Sequence, residues 1–190
     1  MEKAPGGTSV GVEDPYDHVD RCDFVTDEGK CRWARDHGHH DPEFADARSA
    51  EDFRCPAAVG PQGDVDSAEW EWADCPHFRC RNRDNVCQRC GLEERPIAHD
   101  DSRPLLEEHH LSYDANGAAA GDDGDPAHEI TVFLCRWCHA KVHNSWAAID
   151  DDASPEPEAI AQQEGRKSKE RSELGFQSAA ERYGDDREDM

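Results

Sequence analysis

Four cysteines stand in two pairs, Cys87-x2-Cys90 and Cys135-x2-Cys138. At that spacing each pair can fold into a tight knuckle, and four thiolates together make a closed tetrahedral zinc site, which is structural because no coordination position stays open. The competing reading, four thiols buried as small hydrophobes, needs a large apolar core. Between the pairs lies Glu107-Glu108-His109-His110, and directly after the second pair come His139 and His143. If Cys135–Cys138 opens a helix, His139 and His143 project from one face and can share an ion. Cys138 and His139 are then neighbours about 100° apart on the helix, so one can serve the zinc while the other serves a second metal.

The elements that must hold these residues are short. The stretches PLLEEHHLSY and EITVFL suit strands, and CRWCHAKVHNSWAAI suits a helix. The intervening Asn116–Pro126, rich in Gly and Asp, reads as the loop that joins the two strands.

In this order, Cys-x2-Cys, an acidic residue, His-His and then Cys-x2-Cys-His-x3-His, the segment from about residue 85 to 146 resembles the HNH endonucleases of the ββα-metal, treble-clef type. The resemblance covers roughly a third of the chain. It implies that His109, His139 and His143 hold a catalytic divalent ion, Mg²⁺, Mn²⁺, Zn²⁺ or Ni²⁺. It also implies that His110 is the general base for hydrolysis of DNA. An imidazole with a pKa near 6.5 can take a proton from water at working pH. Three neutral ligands leave open positions and the full charge of the ion facing a phosphate. Neighbouring residues of a strand point to opposite faces, so His109 and His110 need a local twist or bulge to serve one centre. Glu107 fits the acidic position before the pair, either behind a ligand imidazole or as a solvated strand residue. The family's central Asn should fall near residues 129–130, where this chain has His128-Glu129-Ile130. Glu129 is expected to take its place as the acceptor that fixes the base histidine's tautomer; Asn116 is the other candidate, at a loop start where turn formation is the ordinary role. The different reading of the same residues is a non-cleaving zinc module on this fold that binds nucleic acid or protein.

Composition explains why metal should matter. The chain of 190 residues carries 44 acidic and 21 basic side chains, a formal charge of −23, and only 25 Leu, Ile, Val and Phe. That apolar content, about 13%, lies under the ~20% expected of a folded chain and excludes a large core. No run approaches the ~20 apolar residues of a membrane span, and MEKAPGGTSVG lacks a secretory h-region, so the expected location is the cytoplasm. Nine cysteines, eleven histidines and five tryptophans fit a fold stapled by metal, and in a reducing compartment Cys-x2-Cys reads as zinc before disulfide. Sixteen Arg against five Lys, with abundant Asp, resembles the proteins of salt-in halophiles. At molar salt the Debye length is ~3 Å, so net acidity does not exclude DNA. Basic residues concentrate near the proposed site, at Arg79, Arg81, Arg83, Arg89 and Arg95 and at Arg136 and Lys141. Of these, Arg79, Arg81, Arg83, Arg136 and Lys141 are the expected phosphate contacts, with pairing to nearby carboxylates the alternative for each.

The expected organisation is a small zinc-stabilised α+β protein. It comprises a flexible leader (1–20), a Cys/His/Trp-rich zinc module (21–77), an HNH nuclease-like domain (78–149) and a charged helical or disordered tail (150–190) whose helix starts at Ser154-Pro155. In the first module Cys22-x8-Cys31 followed by His37 is similar to the opening of a CCCH zinc finger, but His37 stands where that finger has its third cysteine. A second zinc is expected on Cys22, Cys31, a histidine from 37–40 (His37 by position) and Cys55 or Cys75. Cys80 is then spare or the partner of a competing Cys75-x4-Cys80 pair. Similarity to such fingers implies single-stranded nucleic acid stacking on Phe24, Trp33 or Phe53.

Overall fold

The computed structural model describes residues 1–4, 6–60, 63, 68–96, 104–112 and 128–174. The described residues form an α+β protein. Its elements are α1 (Arg32–Asp36), α2 (Pro42–Ala50), β1 (Arg79–Arg81), β2 (Leu106–His110), β3 (Glu129–Cys135), α3 (Arg136–Asn144) and α4 (Pro157–Leu174). The joining loop Asn116–Pro126, with Asn116, lies outside the described residues.

The sheet has the order β1-β3-β2. Ile130, Val132 and Leu134 give the central strand an aliphatic, fully buried row, as suits a strand with neighbours on both edges. β2 runs antiparallel to β3 from Leu106↔Cys135 to His110↔Thr131. The Glu94 carboxylate accepts the amides of Leu105 and Leu106 at 3.0 and 3.1 Å and so pins the start of β2 to the segment that carries Cys87 and Cys90. β1 pairs parallel with β3; its Arg-Cys-Arg sequence carries no apolar alternation, and nothing in the sequence marked it as a strand. β3 passes into α3 without a loop. Cys135 is both the last strand residue and the helix N-cap, at φ −67° and ψ 153°, with its sulfur accepting the Cys138 amide.

Residues 1–20, expected as a flexible leader, pack into the protein instead. Glu2 and Val12 close a turn (Glu2 N–H to Val12 O, 2.8 Å), and Val10 and Val12 join the core. In a chain so poor in aliphatics, two valines are worth recruiting from a terminus: fully burying one contributes about 1.5–3 kcal/mol. Farther along, the Tyr16 hydroxyl bonds His128 Nδ1, and His128 Nε2 donates to the Cys75 carbonyl at 2.6 Å, which ties the first module to the edge of the sheet.

The tail is held as well. α4 begins at Pro157, two residues beyond the Pro155 expected to open it, and buries Ile160, Ala161, Glu164 and Gly165. Glu164, 5% exposed at its side chain, pairs with Arg136 (2.9 Å), itself 3% exposed. Arg136 also donates to Ser168 Oγ at 3.0 Å. A polar helix that looks like a solvated appendage is therefore docked on α3 through a buried ion pair that its amphipathicity does not advertise.

Gly11 sits where the leader meets α3. Its φ is +87°, and a Cβ there would lie 2.7 Å from Val142 Cγ1 and 3.0 Å from Ile149 Cγ1. Gly11→Ala is expected to cost about 1–3 kcal/mol through overpacking and left-handed strain, read as a lower midpoint in denaturant at constant metal content. Gly63→Ala, where a Cβ meets nothing within 4 Å among the described residues, serves as the control for the left-handed conformation alone, φ +84°.

Candidate metal centre

The two cysteine pairs meet. Cys87 and Cys90 lie on a turn closed by Gly91 N–H to Cys87 O (2.8 Å) and Cys87 N–H to Leu92 O (2.8 Å), and Gly91 takes φ +71° to make that turn. Cys135 and Cys138 come from the first turn of α3. The four sulfurs lie within 4.8 Å of one another, with Cys90 and Cys135 at 3.9 Å. The Cys87 thiol is pulled down by the neighbouring S–H donors while the Cys135 thiol is pushed up, because so tight a cluster cannot carry several negative charges by itself. A divalent ion removes that conflict by replacing the shared protons. Arg89 adds positive charge 3.9 Å from Cys138 Sγ. This cluster can hold a structural metal, and four thiolates suit zinc.

On the face of β2 opposite to that of His110, Glu107 and His109 face α3, where His139 and His143 stand one turn apart. The ligand nitrogens of the three histidines lie within 4.8 Å of one another, and the rings are 4.6–5.0 Å apart between centroids. His109 is 1% exposed. Its Nε2 lies 2.8 Å from the Val10 carbonyl, which can only accept, so Nε2 carries the proton and Nδ1 keeps its lone pair. That Nδ1 is buried and has no hydrogen-bond partner among the described residues. Burial holds the imidazole neutral, lowering its pKa to about 4. In His139, Nδ1 donates to the Glu107 carboxylate at 2.5 Å, which leaves Nε2 unprotonated and 3.0 Å from His143 Nε2. Burial, then the neighbouring His139, pushes His143 down too. His143 Nε2 therefore donates to His139 Nε2, and a cation in place of that proton would meet lone pairs from all three imidazoles, two of them oriented from behind by a carboxylate or a carbonyl. That is the arrangement of a metal ligand set, and an orphaned buried nitrogen is what a cation would satisfy.

His110 is the last residue of β2, and the pairing is unbroken up to His110↔Thr131, so no bulge turns it toward the other histidines. Its side chain is 38% exposed, with Nε2 4.0 Å from Glu129 Oε1. Glu129 is in turn held by Arg81 at 2.8 Å. The two residues expected to act together are adjacent, on the strand face away from His109.

The expected phosphate contacts are placed less favourably. Arg79 pairs with Asp23 at 3.1 Å and lies over the Phe24 ring, Arg83 is 3.7 Å from Asp23, and Arg81 is on Glu129. Arg136 is buried against Glu164, so its guanidinium is withdrawn from a solvent phosphate and the expectation for it is corrected. Lys141 lies over Trp137 at the mouth of a 520 Å³ cavity between α3 and α4, which Lys167 and Arg171 also line. Those two α4 residues were not legible as site residues, because only the docking of α4 brings them there. The Val10 carbonyl was missed for a different reason: a backbone acceptor leaves no mark in the sequence.

In the first module Cys22, Cys31 and Cys55 are buried, and burial pushes Cys22 up to about 11 and Cys75 to about 12. The His37 ring lies beside Phe24 and Trp33, 6.1 and 6.3 Å between centroids. The expected stacking platform at Trp33 is already covered on one face by His77, 3.3 Å away and 8° from parallel, which Asp41 holds at 2.8 Å. Phe53 is partly buried and takes a positive φ of 61°. Cys80 lies on β1 opposite Ile130, apart from the expected second set.

The chain belongs to a family of unknown function, DUF7097, whose family model matches residues 1–182. The match takes in the leader, both cysteine-rich segments and α4. No curated protein and no solved structure matches the chain.

Two outcomes follow from this geometry. Cys87→Ser, or prolonged chelation, should unfold the sheet and α3, seen as loss of near-UV circular dichroism together with release of one zinc; retained tertiary signal in the variant would disprove the structural role. With the four cysteines loaded and the three histidines free of metal, His109 is neutral in the fold down to about pH 4 but takes a proton near 6.5 when unfolded. Stability is therefore complete above pH 6.5 and falls as pH drops toward 4, by about 3 kcal/mol at most. Denaturant midpoints across that window should show the loss, and His109→Gln should flatten it.

Proposed function

We propose that this protein is a metal-dependent endonuclease that hydrolyses DNA phosphodiester bonds, built on an HNH-type ββα-metal core. The observation that carries the reading is the unpartnered, buried Nδ1 of His109 facing the lone-pair side of His139 and His143. A structural role is already met by the four cysteines, whereas a three-imidazole set leaves coordination positions for a substrate. Imidazole donors favour Zn²⁺ or Ni²⁺ over Mg²⁺ and Mn²⁺. Such an ion would supply Lewis acidity at a phosphate oxygen and at the leaving oxygen.

The other roles fall to side chains. Val10 and Glu107 fix the protonation of His109 and His139 at the far nitrogens, which keeps the inward nitrogens free of protons. His110, half-exposed at the strand exit, is the candidate proton acceptor for the attacking water, with Glu129 as the group that stabilises its protonated form. Lys141 and Arg171 offer the phosphate backbone a positive flank on α3 and α4 in an otherwise acidic chain, while Lys167 is paired with Glu164 at 2.7 Å. Arg95 is exposed and adds to the positive charge, whereas Arg89 is spent on Cys138 Sγ and the Ala148 and Asp152 carbonyls.

A second reading is a non-cleaving nucleic-acid or protein interaction module on the same scaffold. It is favoured by two placements: His110 faces away from His109, and Arg79, Arg81 and Arg83 are engaged with carboxylates.

Supercoiled plasmid incubated in molar KCl with Ni²⁺, Zn²⁺, Mn²⁺ or Mg²⁺ separates the two. The wild type should nick DNA, and His110→Ala should lose about 100-fold or more of the rate while keeping its circular dichroism and metal content. Undiminished nicking by His110→Ala would remove the base assignment. A folded, metal-loaded wild type that never nicks would leave the interaction module.

A further inference from the structure

We propose that Cys22, Cys31, Cys55 and Cys75 bind a second structural metal ion, a soft divalent cation such as zinc, and that this ion rather than an apolar core closes the N-terminal module. The set differs from the one the sequence suggests in taking Cys75 in place of a histidine.

Backbone pairing does the gathering. Cys22 opens a turn closed by Val25 N–H to Cys22 O (3.1 Å), and a hairpin then returns the chain so that Val25 pairs with Cys31. Cys31 is the N-cap of α1, the position that Cys135 holds on α3. Next to it the segment carrying Cys55 is laid down by the Lys30↔Arg54 bridge, by Cys31 N–H to Phe53 O (2.7 Å) and by Cys55 N–H to Gly29 O (2.9 Å). The Glu69 and Trp70 amides, both bonded to the Pro56 carbonyl at 2.9 and 3.2 Å, lead the chain back to Cys75.

The sulfurs have the surroundings of thiolate ligands. Backbone N–H groups point at them: Phe24 and Arg79 at Cys22, Ala57 and Ala58 at Cys55, and His77 at Cys75. Donors from the second and third residues after a cysteine mark a metal knuckle, and they are wasted on a neutral thiol, a weak acceptor. Like charges on the four sulfurs would repel one another, although they are less tightly gathered than those of the first cluster, which all lie within 4.8 Å. Cys22, Cys31 and Cys55 are each 6–7% exposed, so water cannot relieve that repulsion. A closed set of four thiolates around one cation relieves it and uses every N–H. The aliphatic side chains available to the module, Val25, Ala34 and Ala57 among its buried residues, are too few and too small to hold it otherwise.

The test is cadmium-113 NMR of the full-length wild-type chain reconstituted with the isotope, because all-sulfur cadmium sites resonate apart from sites with nitrogen ligands. Two signals in the all-sulfur region are expected, one for each cysteine set, irrespective of what the three histidines bind. Cys75→Ser should remove or shift one signal and leave the other in place, and Cys80→Ser should keep both. A single all-sulfur signal in the wild type, or two unchanged signals in Cys75→Ser, would overturn the proposal. If Cys75→Ser does not fold, the wild-type count alone decides.

Discussion

The junction of β3 and α3 is the constraint on which the rest depends. Cys135 ends the strand, caps the helix and contributes a sulfur to the cysteine cluster. Once Cys135 and Cys138 share an ion with Cys87 and Cys90, both the direction of α3 and its rotation about its own axis are set. His139 and His143 then have to face β2, where His109 waits. A helix of nine residues is too short to hold such an orientation by propensity alone. The adjoining strand imposes it, and an ion on the four cysteines would lock it.

Around that junction the protein assembles a core from distant pieces. Val10 and Val12 come from the first dozen residues, Phe78 from before β1, Leu105, Leu106 and Leu111 from around β2, and Ile149 and Ile160 from beyond α3. Where apolar residues run out, a buried ion pair substitutes. Arg136 and Glu164 gain specificity of docking for α4 more than net stability, since desolvating both charges offsets most of their attraction. Molar salt screens exposed pairs strongly and this buried one far less. An acidic chain with few aliphatics therefore keeps its long-range contacts under conditions in which surface ion pairs count for little.

Much of this was legible in the sequence because metal ligands are read from residue type and spacing. The Cys-x2-Cys pairs, the i,i+4 histidines and the strands β2 and β3 all declare themselves that way, and Glu107 is found beside His139, one of the two places its position before the histidine pair suggested. What was illegible depends on three-dimensional proximity of residues with no distinctive pattern. β1 is a strand because it finds an open edge of β3, and its three residues carry no alternation. The leader reads as Gly- and Pro-bearing irregular chain, yet Gly11 is there to let the backbone pass over Val142. The arginines looked free because local charge counts ignore carboxylates such as Asp23 and Glu129 that arrive from elsewhere in the chain. In the first module the cysteines were identifiable, but the return of the chain through the Glu69 and Trp70 amides on the Pro56 carbonyl is a contact no spacing rule anticipates.

The leader's place at the histidines carries a further physical implication. The Val10 carbonyl that fixes the His109 tautomer lies 99 residues away in the chain, and the next residue, Gly11, takes a hydrogen bond from Ile149 N–H at 2.8 Å. The leader and the segment after α3 are thus joined directly behind a candidate metal ligand. If the leader detached, His109 would lose its acceptor, Nε2 and Nδ1 would compete for the proton, and the inward lone pair would no longer be guaranteed. An ion that needs that lone pair must bind the leader-docked form more tightly than the detached one. By linkage, the ion then stabilises the docking of the first twelve residues as much as their docking strengthens the site. Order in the N-terminal segment and competence of the three-histidine centre are in this way one equilibrium, with Val10 as its hinge point.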